Sequence, residues 1–224
     1  MQNRREFLEH LGAGAMLAAF PLTASGVGEF IPRRVSNTTD AWDLSWTARL
    51  AGKYRAVFDV PEIDSGYGVW RASVWQTQYV DVLKARAKDC SPVLVLRAKG
   101  IALAMQQPFW DEYAIGKENA VKHPVTEQPT DRNPALLSSA RNEQPEMFDN
   151  FALDKFIAHG GVALACDLAF DEMVGLIAKK HGSSAADARK SAVAMLVPGV
   201  ILQPSGVFAA LHAQDVGCKY IRAS

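Results

Sequence analysis

Apolar residues in this chain follow two alternating patterns: short runs with little polar interruption, and stripes that step by three or four. The runs Ala56–Val60, Val93–Leu96, Val162–Cys166 and Gly199–Leu202 have the pattern of strands buried on both faces of a parallel sheet. Pro61 closes the first, because proline cannot continue a central strand. A shorter segment, Lys219–Ile221, completes a set of five. Between them lie helical stripes. Ala72, Trp75, Tyr79, Val82 and Leu83 mark a helix over 67–87, and Ile101–Tyr113 and Asn150–His159 predict two more. Met173, Leu176 and Ile177 point inward from a fourth, which ends on Lys179-Lys180-His181 and Gly182, as the helix dipole and C-cap rules expect. Ala185–Leu196 and a helix capped by Ser205 and closed by Gly217 complete the series.

Strands alternating with helices imply β-α-β units with right-handed crossovers. The expectation is one α/β domain over 54–224, with a five-stranded, mostly parallel sheet flanked by helices in Rossmann-like or flavodoxin-like layers. One stretch breaks the rhythm. From 116 to 144 the chain is polar and carries Pro124, Pro129 and Pro134; a loop of this length inside a compact domain usually serves as a lid or binding segment. Residues 25–53 read as a linker and short helical strap, with Asp40 as its cap and Trp42 and Trp46 on one face.

The first 24 residues have a different character. Arg4-Arg5-Glu6-Phe7-Leu8 is followed by the apolar run Leu11–Phe20, then Pro21 and the small residues Thr23-Ala24-Ser25-Gly26. That is the three-part layout of an export signal, and the apolar run falls far short of the ~20 residues of a membrane span. The paired arginines predict the Tat translocase as a partner in export, cleavage after Ala24 or Gly26, and a periplasmic mature protein. Asn3 and Glu9 depart from the commonest form of the motif.

Composition narrows the function classes. Lys plus Arg and Asp plus Glu both number 24, for a formal net charge of zero, so there is no broad electrostatic footprint for nucleic acid. No P-loop, G-x-G-x-x-G or zinc spacing occurs, and no metal or cofactor is predicted. The three cysteines, Cys90, Cys166 and Cys218, leave at least one thiol unpaired within a single chain.

Ligands of open parallel sheets bind beyond the carboxyl ends of the strands. That rule nominates Glu62, Arg97, Lys99, Cys166, Gln203 and Ser205. Cys166 stands out, because it precedes a helix whose N–H groups and dipole favour a thiolate. Arg97 and Lys99 push the same way, while Asp167, Asp171 and Glu172 oppose it. Cys90 and Cys218 begin strands at the opposite edge and read as structural. His123, in the long loop, reads as solvated.

Two segments carry a resemblance. The stretch Gly160-Gly161-Val162-Ala163-Leu164-Ala165-Cys166 and the tail running from Gly199-Val200-Ile201-Leu202-Gln203-Pro204-Ser205 to Gly217-Cys218-Lys219-Tyr220-Ile221 resemble the DsrE/DsrF-like family, and specifically its exported relatives. The resemblance implies a small α/β fold, a homo-oligomer built as a trimer or a multiple of one, and a persulfide-carrying cysteine, which here would be Cys166. Trp70 and Trp110 are the aromatic candidates for subunit contacts. Two functions follow: transfer of sulfane sulfur to a relay partner through Cys166, or non-catalytic binding of a small molecule or partner with the 116–144 loop as a lid.

Overall fold

The computed structural model describes residues 42–224. The segment 1–24 with Arg4 and Arg5, the linker from 25 to 41 and the Asp40 cap lie outside the described residues. Strands β1 (Tyr54–Val60), β2 (Cys90–Leu96), β3 (Val162–Cys166), β4 (Val200–Gln203) and β5 (Lys219–Arg222) form one sheet in the order β4-β3-β2-β1-β5. Every neighbouring pair is parallel, with Phe58 opposite both Leu94 and Ile221. The chain steps outward from β1 to β4, then returns to place β5 on the far side of β1.

The central strands justify their composition. All seven residues of β2 and all five of β3 are buried, because helices and the strap cover both faces of the sheet. One face packs Phe58, Val60, Leu94, Leu96 and Ala165 against α1 (Tyr67–Leu83), α4 (Leu153–Ala158), α5 (Asp167–His181) and α6 (Ala185–Ala194). The other packs Val57, Val93, Val95, Val162 and Leu164 against α7 (Gly206–Asp215) and the strap residues Trp46 and Leu50. The inward side of α7 is small: Gly206, Ala209, Ala210 and Ala213. A Cβ on Gly206 would lie 2.5 Å from the Arg97 Cβ, so only glycine lets this helix start so close to the sheet. Outward, α7 exposes Val207, Phe208 and Leu211.

Several helical expectations need correction. The 67–87 helix stops at Leu83 because Lys84 turns left-handed at φ 54°, which leaves Val82 and Leu83 exposed rather than packed inward. The 101–113 helix is two pieces. A 3-10 stretch, Ala98–Ala104, breaks where Met105 bridges to Leu196, and α2 (Gln107–Glu112) restarts with Pro108 in its first turn. Trp110 is fully buried, with Nε1 donating to the Ala102 carbonyl at 2.8 Å, so it cannot be a subunit contact. The 150–159 helix is likewise a 3-10 stretch, Glu146–Phe151, followed by the shorter α4. The strap is a 3-10 turn, Ser45–Arg49, holding only Trp46.

The 116–144 loop has a dense internal frame. It starts within the one-turn helix α3 (Ile115–Glu118). Asn133 is its buried anchor: Nδ2 donates to the carbonyls of Leu103 and Met105 at 3.1 and 2.8 Å, and Oδ1 accepts from the Ala135 N–H. Glu143 pairs with Arg132 and Arg141; burial opposes its charge, but these partners hold its carboxyl below the usual range. His123 is a loop staple rather than a solvated side chain. Its Nδ1 accepts from the N–H groups of Val125 and Thr126, and its Nε2 reaches the Glu143 carbonyl at 2.8 Å.

Candidate functional site

The strand-end rule brings some of its nominees together. Arg97 follows β2 and lies against Gly206, one residue past Ser205. Its Nε and Nη2 donate to both carboxylate oxygens of Asp59 at 2.7 and 2.8 Å, and the Tyr220 hydroxyl donates to Asp59 at 2.7 Å. Asp59 is only 2% exposed. The hydrogen bonds to Asp59 hold the Arg97 guanidinium above its usual range against the effect of burial, and they raise the Tyr220 phenol with burial adding to the shift. A cavity of about 330 Å³ opens here between α7 and β5, floored by Asp59 and Arg97 and walled by Val207, Leu211 and Tyr220.

The remaining nominees divide. Cys166 ends β3 and caps α5, its Sγ accepting from the Ala169 N–H at 3.4 Å, and it is 7% exposed. Ser205 caps α7 through a bond from the Phe208 N–H at 3.0 Å. Gln203 points into the core, where Nε2 donates to the Asp43 carbonyl and Oε1 accepts from Trp46 Nε1; it ties the strap to the sheet and is closed to a ligand. Glu62 and Lys99 are exposed on the rim. All three cysteines are free thiols and buried. Burial pushes the Cys218 thiol up to about 11, and burial with the charge of Asp89 raises Cys90.

A second cavity, about 230 Å³, has the character of a ligand site. It lies just after β1, between the start of α1 and the long loop. Tyr67, Trp70, Phe148 and Phe151 line it, and Val125 and Leu137 of the loop close the other side. The rings support one another edge to face: Tyr67 to Trp70 at 6.2 Å and Trp70 to Phe151 at 5.8 Å, geometries that stabilise aromatic pairs. The Tyr67 hydroxyl donates to the Pro124 carbonyl at 3.0 Å and fastens the loop to α1. The approach needs an unusual turn, in which Asp64, Ser65 and Gly66 are all left-handed, at φ 38°, 52° and 79°. A Cβ on Gly66 would sit 2.9 Å from the Pro134 carbonyl, so glycine sets how closely loop and helix approach.

Phe148 and Phe151 were not nominated from the sequence. Their signal was present, as two aromatics three residues apart following the proline-rich stretch, but nothing local said that they meet Trp70. Among the described residues, no three His, Cys, Asp or Glu side chains gather to hold a metal ion, and no helix is long and apolar enough to cross a membrane. Fold and cavities together define a parallel α/β protein with ligand-sized hollows at the edges of its sheet. No family model, no curated protein and no solved structure matches the chain.

Proposed function

We propose that this protein is a binding module for a small, uncharged aromatic or apolar ligand, held in the cavity between α1 and the long loop. One observation carries the reading: four aromatic side chains from two separate segments converge on one loop-walled hollow. Apolar walls with few polar groups are the usual make-up of small-molecule sites. The reading fits the expected lid role of the 116–144 segment. It asks for no reactive group.

The alternative is sulfane-sulfur transfer, in line with the DsrE/DsrF-like resemblance. It is supported by the place of Cys166 at the tip of β3, where its Sγ accepts from the Ala169 N–H at the start of α5. The thiolate would attack the outer sulfur of a donor, taking that sulfur as a persulfide and releasing the donor's own thiolate. Cys166 lines neither the loop-walled cavity nor the one beside α7, and its burial stands in the way of a bulky donor.

One experiment separates the two. Titration with naphthalene-2-methanol, followed by calorimetry and by the indole N–H resonance of Trp70, should show saturable binding that Trp70→Ala weakens about tenfold by calorimetry, equal to the ~1.4 kcal/mol that defines a decade. A sulfane-sulfur donor should leave the Cys166 peptide mass unchanged. Undisturbed Trp70 together with one added sulfur on Cys166 reverses the assignment.

A further inference from the structure

A third hollow, at the open edge of the sheet, differs from the others in charge. Helix α1 covers β1 and β2, and α7 lies on the opposite face, so the residues of β5 that point to the α1 side have no helix above them. Lys219 and Ile221 are those residues, in register with Ala56 and Phe58, and Ile221 remains 49% exposed. Between them and α1 lies a cleft of about 220 Å³. Its aromatic wall is a connected chain of rings: Tyr54 to Tyr79 at 5.0 Å, Tyr79 to Trp75 at 4.8 Å, and Trp75 to Phe58 at 5.8 Å.

The charged groups on this cleft are all cations. Lys53, Arg55 and Lys219 line it, and among the described residues no acidic side chain does. Lys219 points into it from β5, whereas Arg55 alternates to the other face of β1, with Val57 and Asp59, toward α7. The Arg55 Nε donates to the Gly52 carbonyl at 3.0 Å and its Nη1 to the Val216 carbonyl at 2.9 Å. These are neutral acceptors. They fix the guanidinium in place without cancelling its charge, and Nη2 makes no hydrogen bond to a described residue. Arg97, neutralised by Asp59, shows the opposite arrangement. The Lys53 ammonium lies 5.0 Å from the Tyr54 ring centroid, a cation–π distance.

We infer that this cleft binds an aromatic anion of one or two rings, a carboxylate or sulfonate. The ring lies against Trp75 and Tyr79, and the acid group meets Lys219 and Lys53. A volume near 220 Å³ is below that of drug-sized sites, which limits the ligand to that size. A carboxylate suits the two ammonium groups because a charge-assisted bond is about twice as strong as a neutral one. The site is separate from the loop-walled cavity, and its existence does not depend on the reading given to that cavity.

The test uses 2-naphthoate and its uncharged analogue 2-naphthamide. Binding is followed by calorimetry and by the indole N–H resonances of Trp75 and Trp70. The expected result is that 2-naphthoate shifts Trp75 and binds at least tenfold tighter than the amide, with the advantage shrinking at high salt as exposed charges are screened. Lys219→Glu, at an exposed position of β5, should weaken 2-naphthoate at least tenfold, and Trp70→Ala should leave it unchanged. Lys53→Glu should act like Lys219→Glu. Equal affinity for acid and amide overturns the assignment, as does a response at Trp70 alone or indifference to Lys219→Glu.

Discussion

Helix α1 lends aromatic rings to two hollows of nearly equal size, about 230 Å³ at its start and about 220 Å³ further along, and they differ in what builds the opposite wall. At the start, the wall is an irregular loop pinned by buried Asn133 and by the bond from Tyr67 to Pro124. Further along, the wall is edge strand β5, pinned by the Tyr220–Asp59–Arg97 cluster. The loop brings apolar groups and backbone, with Gln144 as its one polar side chain. The strand end brings cations. The same helix therefore meets two chemistries, and what a cavity selects for depends on its second wall rather than on the aromatic rings that α1 lends to each.

That comparison breaks most sharply at Asp59. Replacing it with alanine leaves Arg97 uncompensated and Tyr220 without its acceptor. We expect a loss of about 3 kcal/mol, the low end for breaking a buried pair because Arg97 keeps contact with water. Aromatic-anion binding at β5 should fall while the loop-walled cavity keeps its probe. Urea unfolding with both titrations checks this, and a loss confined to the loop-walled cavity contradicts it.

Asn133→Ala is the converse. The carbonyls of Leu103 and Met105 lose their donor in a buried place, at a cost of about 2 kcal/mol. Binding at Trp70 should weaken and binding at Trp75 should not. Matching losses at both sites would mean that the two walls are not independent.

The last effect concerns pH. Cys218 immediately precedes β5, and its thiol is raised to about 11. The folded state therefore keeps this proton after the unfolded chain has released its own near ~8.5. Stability from this source is complete below the unfolded value and is lost as pH rises through about 11. Between pH 8 and 10, wild type should lose about 2 kcal/mol more than Cys218→Ala, read from urea midpoints. Parallel pH curves for the two would place the thiol in water.

The sequence made the sheet readable because a strand buried on both faces needs an almost uninterrupted apolar run, and β2 and β3 supply one. Helix ends were harder to read. Left-handed Lys84 carries no glycine to announce it, and the break at Met105 is a tertiary event, since its partner Leu196 lies far along the chain. Trp110 looked available for a neighbour because a helical stripe does not reveal that the core closes over it. At the candidate sites, the strand-end rule found Arg97 but not its partner Asp59, which sits inside an apolar run. It also passed over the β5 cleft, because Tyr54, Trp75 and Lys219 meet only through the return of the last strand.

That return also shapes how the molecule is assembled. Tyr220 and Asp59 touch across 161 positions of sequence, and β1 gains its second neighbour only when β5 arrives. Pairing over so long a span is slow, because the closing entropy comes before any reward. Until then one side of β1 stays open, a row of unmatched peptide groups that another chain can join. The segment that completes the cationic cleft is thus also the one that shields the first strand, and dilute conditions favour its arrival over that of a stranger.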